Sequence, residues 1–393
     1  MNLAGVDLVA WQADLKRAEA ALLTAPIDEF EKGINEHLKG LQSSHVAFYH
    51  GLQAKFLPQH SINATLKIIG RNKDARWMFL DVFPEGPAAK AGIGPGQVLV
   101  AIDRVPAAPP EMPVLKTGRD YNLTISEGVG GASREVTVRV PFRKGTKQRP
   151  PIVEPVPVTG RMAEGNVGVL RIPYFSGAAG MRFGKALSAA IEDLKRRGCD
   201  SLIVDLRGNI GGSLGFSILA SYLCPDKRPI GYSITPKSAR LDLHRESLPR
   251  VPMPKTRLSL VARLAEYAFR DKSVVLLTQG LGSQPFHGRI AVLVNEWTSS
   301  AGEMVASFAK EHGLATVVGT KTQGKVLGAA NFKVGADYFV RLPIFGWMTW
   351  GGECLERTGV SPDICVDEQP QLLARGVDMQ MDRAMDAIVG ASS

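Results

Sequence analysis

A serine and a lysine lie in turns that each follow a predicted strand. Ser300 lies between an apolar strand predicted over residues 290–294 and a helix that begins near Ala301, and Lys325 follows the next predicted strand, over residues 314–318. Neighbouring parallel strands end at the same edge of a sheet, so we expect the two side chains to lie close together. A serine hydroxyl attacks a carbonyl when a neutral base takes its proton, and a lysine is neutral only if burial lowers its pKa by about three units from ~10.4. The pairing predicts acyl transfer through Ser300 with Lys325 as base, whereas Ser300 by itself would equally fit a helix cap.

A glycine-rich turn lies earlier in the sequence than the turns that carry Ser300 and Lys325. The segment Asp205–Gly212 follows a short buried strand over residues 202–204 and leads into a helix. Glycines at such a junction let backbone N–H groups point at an anion or a developing oxyanion, although a tight structural turn requires the same residues. Ser213 also lies in a Gly-x-Ser-x-Gly pattern, typical of an α/β-hydrolase nucleophile, but Arg207 to Gly212 separate it from the strand that such a serine should follow directly.

The elements that must position these turns belong to an alternating strand and helix region. Apolar residues recur at helical spacing from Phe183 to Leu194, between strands predicted over 167–172 and 202–204, which indicates a layered α/β domain. Two helices are predicted before it, over residues 8–24 and about 27–41. Short strands broken by glycine and proline begin at Ala64, and prolines from Pro141 to Pro157 predict a connector without a central strand.

Composition excludes several classes of protein. The chain has 393 residues, of which 45% are hydrophobic and 22% charged, which is typical of a soluble globular protein with two or three domains. The net charge is +9, but the basic residues are scattered, so no nucleic-acid partner is expected. No apolar run is long enough to span a membrane and no signal peptide is visible in this chain, so we expect a soluble protein. The four cysteines form no Cys-x-x-Cys pair, and neither a metal site nor another cofactor is predicted.

In order along the chain, four segments match the pattern of the C-terminal processing (tail-specific) proteases of peptidase family S41. They are Asp205–Gly212, Ser300–Glu303, Gly319–Lys325 and Glu356–Asp363. The chain resembles this family over most of its length. The resemblance implies that Ser300 is the nucleophile and Lys325 the general base, with an oxyanion hole formed by the N–H groups of Ala301 and of Gly211 or Gly212. It also implies a crotonase-like or ClpP-like α/β protease domain.

The resemblance further implies a multi-domain α/β protein. We predict an N-terminal helical segment (1–62), a mostly β PDZ domain (63–147), a protease domain (148–372) with an insertion (225–287), and a C-terminal helix or tail (373–393). The PDZ domain is similar to the family's over Gly86–Leu99, and the peptide-binding segment in that role includes Trp77, Met78 and Phe79. PDZ domains bind peptide C-termini by adding a strand to a sheet edge, so this domain would recruit protein substrates or gate the site. The insertion carries a helix-like stretch from Leu258 to Phe269. Its length is equally typical of a lid over a binding site and of a surface loop without such a role.

An alternative base comes from the N-terminal region. Ser44-His45, in a stretch expected to be helical, is similar to the Ser-His pair of the tricorn-type branch of the same family, with Glu356 near its acidic partner. Ala329 stands where many relatives carry a glutamine that orients the lysine. We predict Lys325 as the base and keep His45, supported by Ser44 and Glu356, as the alternative.

The predicted function is therefore a serine endopeptidase acting on proteins or peptides, in part through their C-termini. The rival interpretation is a non-catalytic binder of peptides or hydrophobic ligands on the same fold. The sequence leaves homo-oligomerisation and the cellular compartment open, although relatives mostly act outside the cytoplasm.

Overall fold

The computed structural model describes residues 6–147, 149–177, 180–240, 244–252, 273–281 and 286–389. Its strands form three six-stranded sheets and a two-stranded ribbon. The described strands are β1 (Ala47–His50), β2 (Lys55–Phe56), β3 (Ala64–Ile69), β4 (Arg76–Val82), β5 (Val98–Ile102), β6 (Val105–Pro106), β7 (Leu115–Lys116), β8 (Arg119–Ser126), β9 (Ser133–Val140), β10 (Thr159–Met162), β11 (Val167–Arg171), β12 (Ser201–Asp205), β13 (Pro229–Ile234), β14 (Arg250–Pro252), β15 (Val275–Leu277), β16 (Arg289–Val294), β17 (Thr316–Gly319), β18 (Leu327–Gly335), β19 (Tyr338–Thr349) and β20 (Ile364–Cys365).

The described helices range from single turns to 17 residues. They are α1 (Leu8–Thr24), α2 (Ile27–Lys39), α3 (Pro58–Ser61), α4 (Pro87–Lys90), α5 (Met181–Arg196), α6 (Gly215–Leu223), α7 (Pro236–Arg240), α8 (Ala301–Glu311), α9 (Pro370–Leu373) and α10 (Met379–Val389), with 3-10 turns at Asn72–Asp74 and Arg245–Ser247. None of these described helices combines the length and apolar character that crossing a membrane requires.

The α/β region is built on a sheet with the strand order β10-β11-β12-β16-β17-β20, parallel from β11 onward. Its strands are apolar on both faces because helices cover both. In β12, Leu202 and Val204 pack into the large core with α5, α6 and α8, whereas Ile203 faces the opposite cluster beneath α10. This alternation confirms the predicted layered α/β arrangement.

A second sheet, β1-β19-β13-β15-β14 with β18 paired to β19, packs beside this core. Two parts of the chain that were not expected in a sheet contribute strands to it: the insertion and the N-terminal segment. The described part of the insertion 225–287 supplies β13, β14 and β15, so that part is built into a sheet. The predicted stretch from Leu258 to Phe269 lies outside the described residues.

The N-terminal segment is also more than helical. The helices α1 and α2 begin as predicted, but β1 joins the second sheet by pairing with β19. His45 lies in the turn before β1, so the helical setting expected for it is wrong. Short strands such as β1 carry too little periodicity to be recognised when their partner is almost 300 residues away.

A small β domain with the order β3-β4-β5-β8-β9 follows, with its own core beneath α4. Its strand β4 corrects one prediction. Trp77, Met78 and Phe79 are almost fully buried and pair with β3 on one side and with β5 and its preceding turn on the other. A peptide therefore has no free edge beside these three residues, and strand addition there is excluded.

Candidate active site

Three turns meet at the carboxyl edge of the parallel sheet. They follow β12, β16 and β17, which are neighbours, so the serine and lysine turns lie at one edge as predicted and the glycine turn lies beside them. Ser300 lies at the sharp junction of the second turn and α8, with φ 52° and ψ −118°. A positive φ is costly for a residue other than glycine, by about 1–3 kcal/mol, and such strain clusters at functional sites. The junction leaves the Ser300 side chain half-buried, and no described residue accepts the proton of its hydroxyl.

Glu303 fixes the serine turn against the lysine turn. This fully buried carboxylate accepts hydrogen bonds from Ser300 N at 2.9 Å, Lys325 N at 2.9 Å, Gly324 N at 2.7 Å and Thr322 Oγ1 at 2.6 Å. Burial raises the pKa of Glu303, while these four donors oppose that shift by favouring the carboxylate. The spacing of Ser300 and Glu303 is that of a helix capping box, a signal that the sequence analysis did not use.

Asn209 fixes the glycine turn against the serine turn. Its backbone oxygen accepts from Ser299 N at 2.9 Å, and its side chain accepts from Gly211 N at 2.7 Å. The Cα of Gly211 lies so close to Ser300 that a Cβ there would come within 2.6 Å of the serine Cβ. The neighbouring Gly212 is exposed.

Two backbone N–H groups are therefore candidates to face an oxyanion near Ser300. The Ala301 N–H is in the first turn of α8, where N–H groups have no partner within the helix. Of the two predicted glycines, Gly211 already donates its N–H to Asn209, and no described residue accepts the N–H of Gly212.

The Lys325 side chain is exposed, and within the described residues its ammonium forms no ion pair. Partial burial of the ammonium nevertheless lowers its pKa, against the raising effects of Glu303 and Glu356. The direction of this shift is the one that the predicted base requires.

The second candidate base belongs to a hydrogen-bonded chain. Ser44 Oγ donates to Glu356 Oε2 at 2.9 Å and contacts His45 Nδ1 at 2.8 Å. A hydroxyl has one proton, so the contact with His45 requires Nδ1–H as the donor and leaves the lone pair on Nε2. Glu356 also accepts from Ser44 N and from Val326 N, which connects this chain to the lysine turn.

The electrostatic setting keeps His45 neutral. Burial, followed by repulsion from Arg341 and Lys325, lowers the pKa of His45 to about 3. In the described residues, no hydrogen bond joins Ser300 Oγ to either His45 or Lys325.

The remaining serine candidate has a structural role. Ser213 Oγ donates to the backbone oxygens of Phe175 and Gly177, and Ser213 lies after the glycine turn, ahead of α6. The strained strand-to-helix junction that its motif predicts is found at Ser300 instead.

A tryptophan that the sequence analysis missed connects the serine turn to the small β domain. Trp297 Nε1 donates to Leu66 O at 3.0 Å, and its ring packs on the cluster that contains Met78 and Leu80. In the same interface, Asp81 accepts from Asn295 Nδ2 at 2.9 Å and pairs with Arg171 at 3.0 Å. The β domain is thus attached to the turn that carries Ser300.

Residues 166–366, just over half of the chain, match the family model of Peptidase family S41. Tricorn protease homolog 2 of Streptomyces coelicolor is 25% identical over 98% of this chain and 30% of its own length. A carboxyl-terminal-processing protease of Picosynechococcus is 25% identical over 78% of this chain and 65% of its own length. The chain thus spans less than two thirds of either relative.

The fold agrees with that match. A solved photosystem II D1 C-terminal processing protease superposes over 95% of each chain with a TM-score of 0.53 at 18% identity, a likeness that shows a shared fold. The family match covers the parallel strands of the sheet, from β11 to β20, and the serine and lysine turns described above. The chain belongs to peptidase family S41.

Proposed function

We propose that this chain is a serine endopeptidase that cleaves peptide bonds through an acyl intermediate on Ser300. The observation that carries the proposal is the strained backbone of Ser300 at the N-terminus of α8, where no described residue accepts the proton of its hydroxyl. Strain of this kind persists only where surrounding contacts impose it, and Glu303 and Gly211 provide those contacts.

In the proposed reaction, Ser300 Oγ attacks the substrate carbonyl and the base takes its proton. The N–H groups of Ala301 and Gly212 stabilise the oxyanion; Gly212 is preferred to Gly211 because Gly211 already donates to Asn209. The protonated base then gives its proton to the leaving amine, and water hydrolyses the acyl-enzyme by the same route.

We assign the base to His45, which the hydrogen-bonded chain favours. Glu356 and Ser44 hold the tautomer with a free Nε2, which is the nitrogen that would take the proton of Ser300. Lys325, predicted from the sequence, is the second candidate because its pKa is lowered. The two candidates are close enough for the charge of Lys325 to lower the pKa of His45.

For the small β domain, we propose a PDZ-like gating role. Recruitment of a peptide beside Trp77–Phe79 is excluded, but the domain contacts the serine turn through Trp297. A shift of the domain would therefore alter the position of Ser300.

The test is intact-mass analysis of reduced, alkylated lysozyme before and after incubation with the protein. We expect fragments with the wild type and none with Ser300→Ala. Ser213→Ala is the matched control because it removes a hydroxyl from a neighbouring turn, and it should retain cleavage. Fragments from Ser300→Ala, or none from the wild type, would contradict the proposal and favour a non-catalytic binder.

A further inference from the structure

Beside the candidate active site lies an arginine whose charge no described residue balances. Arg341 is half-buried in β19, opposite Ala47 of β1 and Asn331 of β18. The described residues give its guanidinium neither an ion pair nor a hydrogen bond. An arginine stays charged at any working pH, and one withdrawn from water is normally paired with a carboxylate or phosphate.

A buried hydroxyl without a partner accompanies this arginine. Tyr49 lies on the same sheet face as Arg341, because it is two residues after Ala47 in β1. Its side chain is 6% exposed, and its hydroxyl has no hydrogen-bond partner in the described structure. Burial, opposed by the charge of Arg341, raises the pKa of Tyr49 to about 12, so the hydroxyl keeps its proton and remains a donor.

A third buried polar atom belongs to α3. His60 Nδ1 is buried without a partner among the described residues. Burial, followed by repulsion from Lys325 and Arg341, lowers the pKa of His60 to about 4 and keeps the ring neutral. Buried polar groups are normally satisfied, so a buried hydroxyl without a partner on the same sheet face as an unpaired guanidinium indicates a place for an anionic group.

This group of side chains lies next to the catalytic candidates. Arg341 is the largest electrostatic influence on His45, and it also acts on Tyr174, which directly precedes the Phe175 that contacts the glycine turn. The carboxylate whose charge raises the pKa of Tyr174 is that of Glu154, and this carboxylate is already paired with Arg149 at 3.2 Å. A substrate bound over Ser300 would therefore meet an unneutralised positive charge.

We propose that Arg341 and the Tyr49 hydroxyl form a subsite for a carboxylate of the substrate close to the scissile bond. The inference rests on the proposed peptidase function and names its substrate class: peptides that carry either an acidic side chain or a free C-terminus there. Both sources present the same planar carboxylate, which a guanidinium binds through two parallel hydrogen bonds.

The test measures binding, so it does not depend on hydrolysis. Ser300→Ala protein is titrated by fluorescence anisotropy with three pools of labelled decapeptides, randomised in neutral residues. One pool has an internal glutamate and an amidated end, one has glutamine there and a free acid end, and one has glutamine and an amidated end. We expect one or both acidic pools to bind about tenfold more tightly than the neutral pool. The pool that does so identifies the source of the carboxylate.

Further variants assign any preference to the subsite. Arg341→Gln should abolish the preference, Arg341→Lys should retain part of it, and Tyr49→Phe should reduce it even if Arg341→Gln does not fold. Arg139→Gln, an exposed arginine in β9 that pairs with Asp120, should leave it unchanged. Equal binding of all three pools, or an acidic preference that persists in folded Arg341→Gln or is unchanged in Tyr49→Phe, would overturn the subsite. Peptide cleavage by the wild type is measured separately. A wild type that does not cleave would contradict the peptidase proposal and would leave the measured binding preference unchanged.

Discussion

The Ser44 hydroxyl donates to the Glu356 carboxylate over 2.9 Å, although 312 residues separate the two in sequence. The contact joins the segment before β1 to the turn after β19, and both surround the lysine turn. It also fixes the tautomer of His45, and this makes the imidazole a usable base.

The first prediction concerns the base. Because the pKa of His45 is lowered to about 3, a His45 base is already neutral across ordinary pH, so kcat/KM should be flat from about pH 5 to 8. A Lys325 base, with a pKa lowered from 10.5, would instead make kcat/KM rise with pH through and above neutrality. Peptide hydrolysis measured across this range distinguishes the two.

Substitutions of His45 and Lys325 distinguish the two candidate bases in a second way. His45→Ala should reduce kcat/KM by about 10²–10⁴-fold and Lys325→Ala by much less. Ser44→Ala should cost activity, whereas Ser43→Ala, at the preceding hydroxyl, should not. An inactive Lys325→Ala beside an active His45→Ala would replace the histidine with the sequence-predicted dyad.

The second prediction concerns Glu303, which positions Ser300 without facing the substrate. Glu303→Gln replaces one of two accepting oxygens with a donor that faces backbone N–H groups, so the free energy of unfolding should fall by about 3 kcal/mol. Urea denaturation measures this, with Glu192→Gln at an exposed position of α5 as the control. Equal stability of Glu303→Gln and the control would show that the carboxylate does not hold the turns together.

The third prediction concerns Trp297. Trp297→Ala removes the ring that packs on the β domain and should lower kcat even for short peptides, because the serine turn loses its support. Trp297→Phe loses the bond to Leu66 but keeps an aromatic ring that fills most of the same space, so its effect should be smaller. Trp11→Phe loses an equivalent indole bond, to His37, and should not change kcat. An unchanged kcat for Trp297→Ala would separate the β domain from catalysis.

The fourth prediction concerns the buried carboxyl of Glu368, which contacts Arg207 of the glycine turn. Burial and the neighbouring Asp378 raise the pKa of Glu368 to about 7, while Arg207, 3.4 Å away, opposes the shift. A raised pKa means that the folded state binds the proton more tightly than the unfolded state. The stability contributed by Glu368 is then fully present below about pH 4.5 and is lost as the pH rises through about 7.

Glu368→Gln should remove this dependence, which we expect to amount to about 2 kcal/mol. Chemical denaturation at pH 5 and pH 8 measures it, with the exposed neighbour Asp367→Asn as the control. If both variants show the wild-type difference between the two pH values, Glu368 is not its source.

Local patterns predicted most of the fold that surrounds the site. The periodicity of α5 and the apolar runs of β12 and β16 reflect burial on one stripe or on both faces, so they are visible in the sequence. The strands β13 to β15 were not recognised in the sequence because they are short. Of the three, β13 pairs with the distant β19, and β15 pairs with β13 and β14.

The sequence likewise predicted the part of the candidate site that follows from strand order. Ser300 and Lys325 follow neighbouring strands, so topology brings their turns together. The contact of Ser44 with Glu356 was suggested only by family resemblance, and the position of Arg341 beside Tyr49 follows from the pairing of β1 with β19. Such long-range side-chain environments leave no local signal.

Ser300 is the proposed nucleophile, and a fluorophosphonate reagent reacts covalently with such a serine. After incubation, intact mass and peptide mapping of the wild type should show one adduct, located on Ser300. Ser300→Ala should remain unlabelled under the same conditions, and Ser213→Ala should label like the wild type. An unlabelled wild type, or an adduct on Ser213 in place of Ser300, would contradict the account.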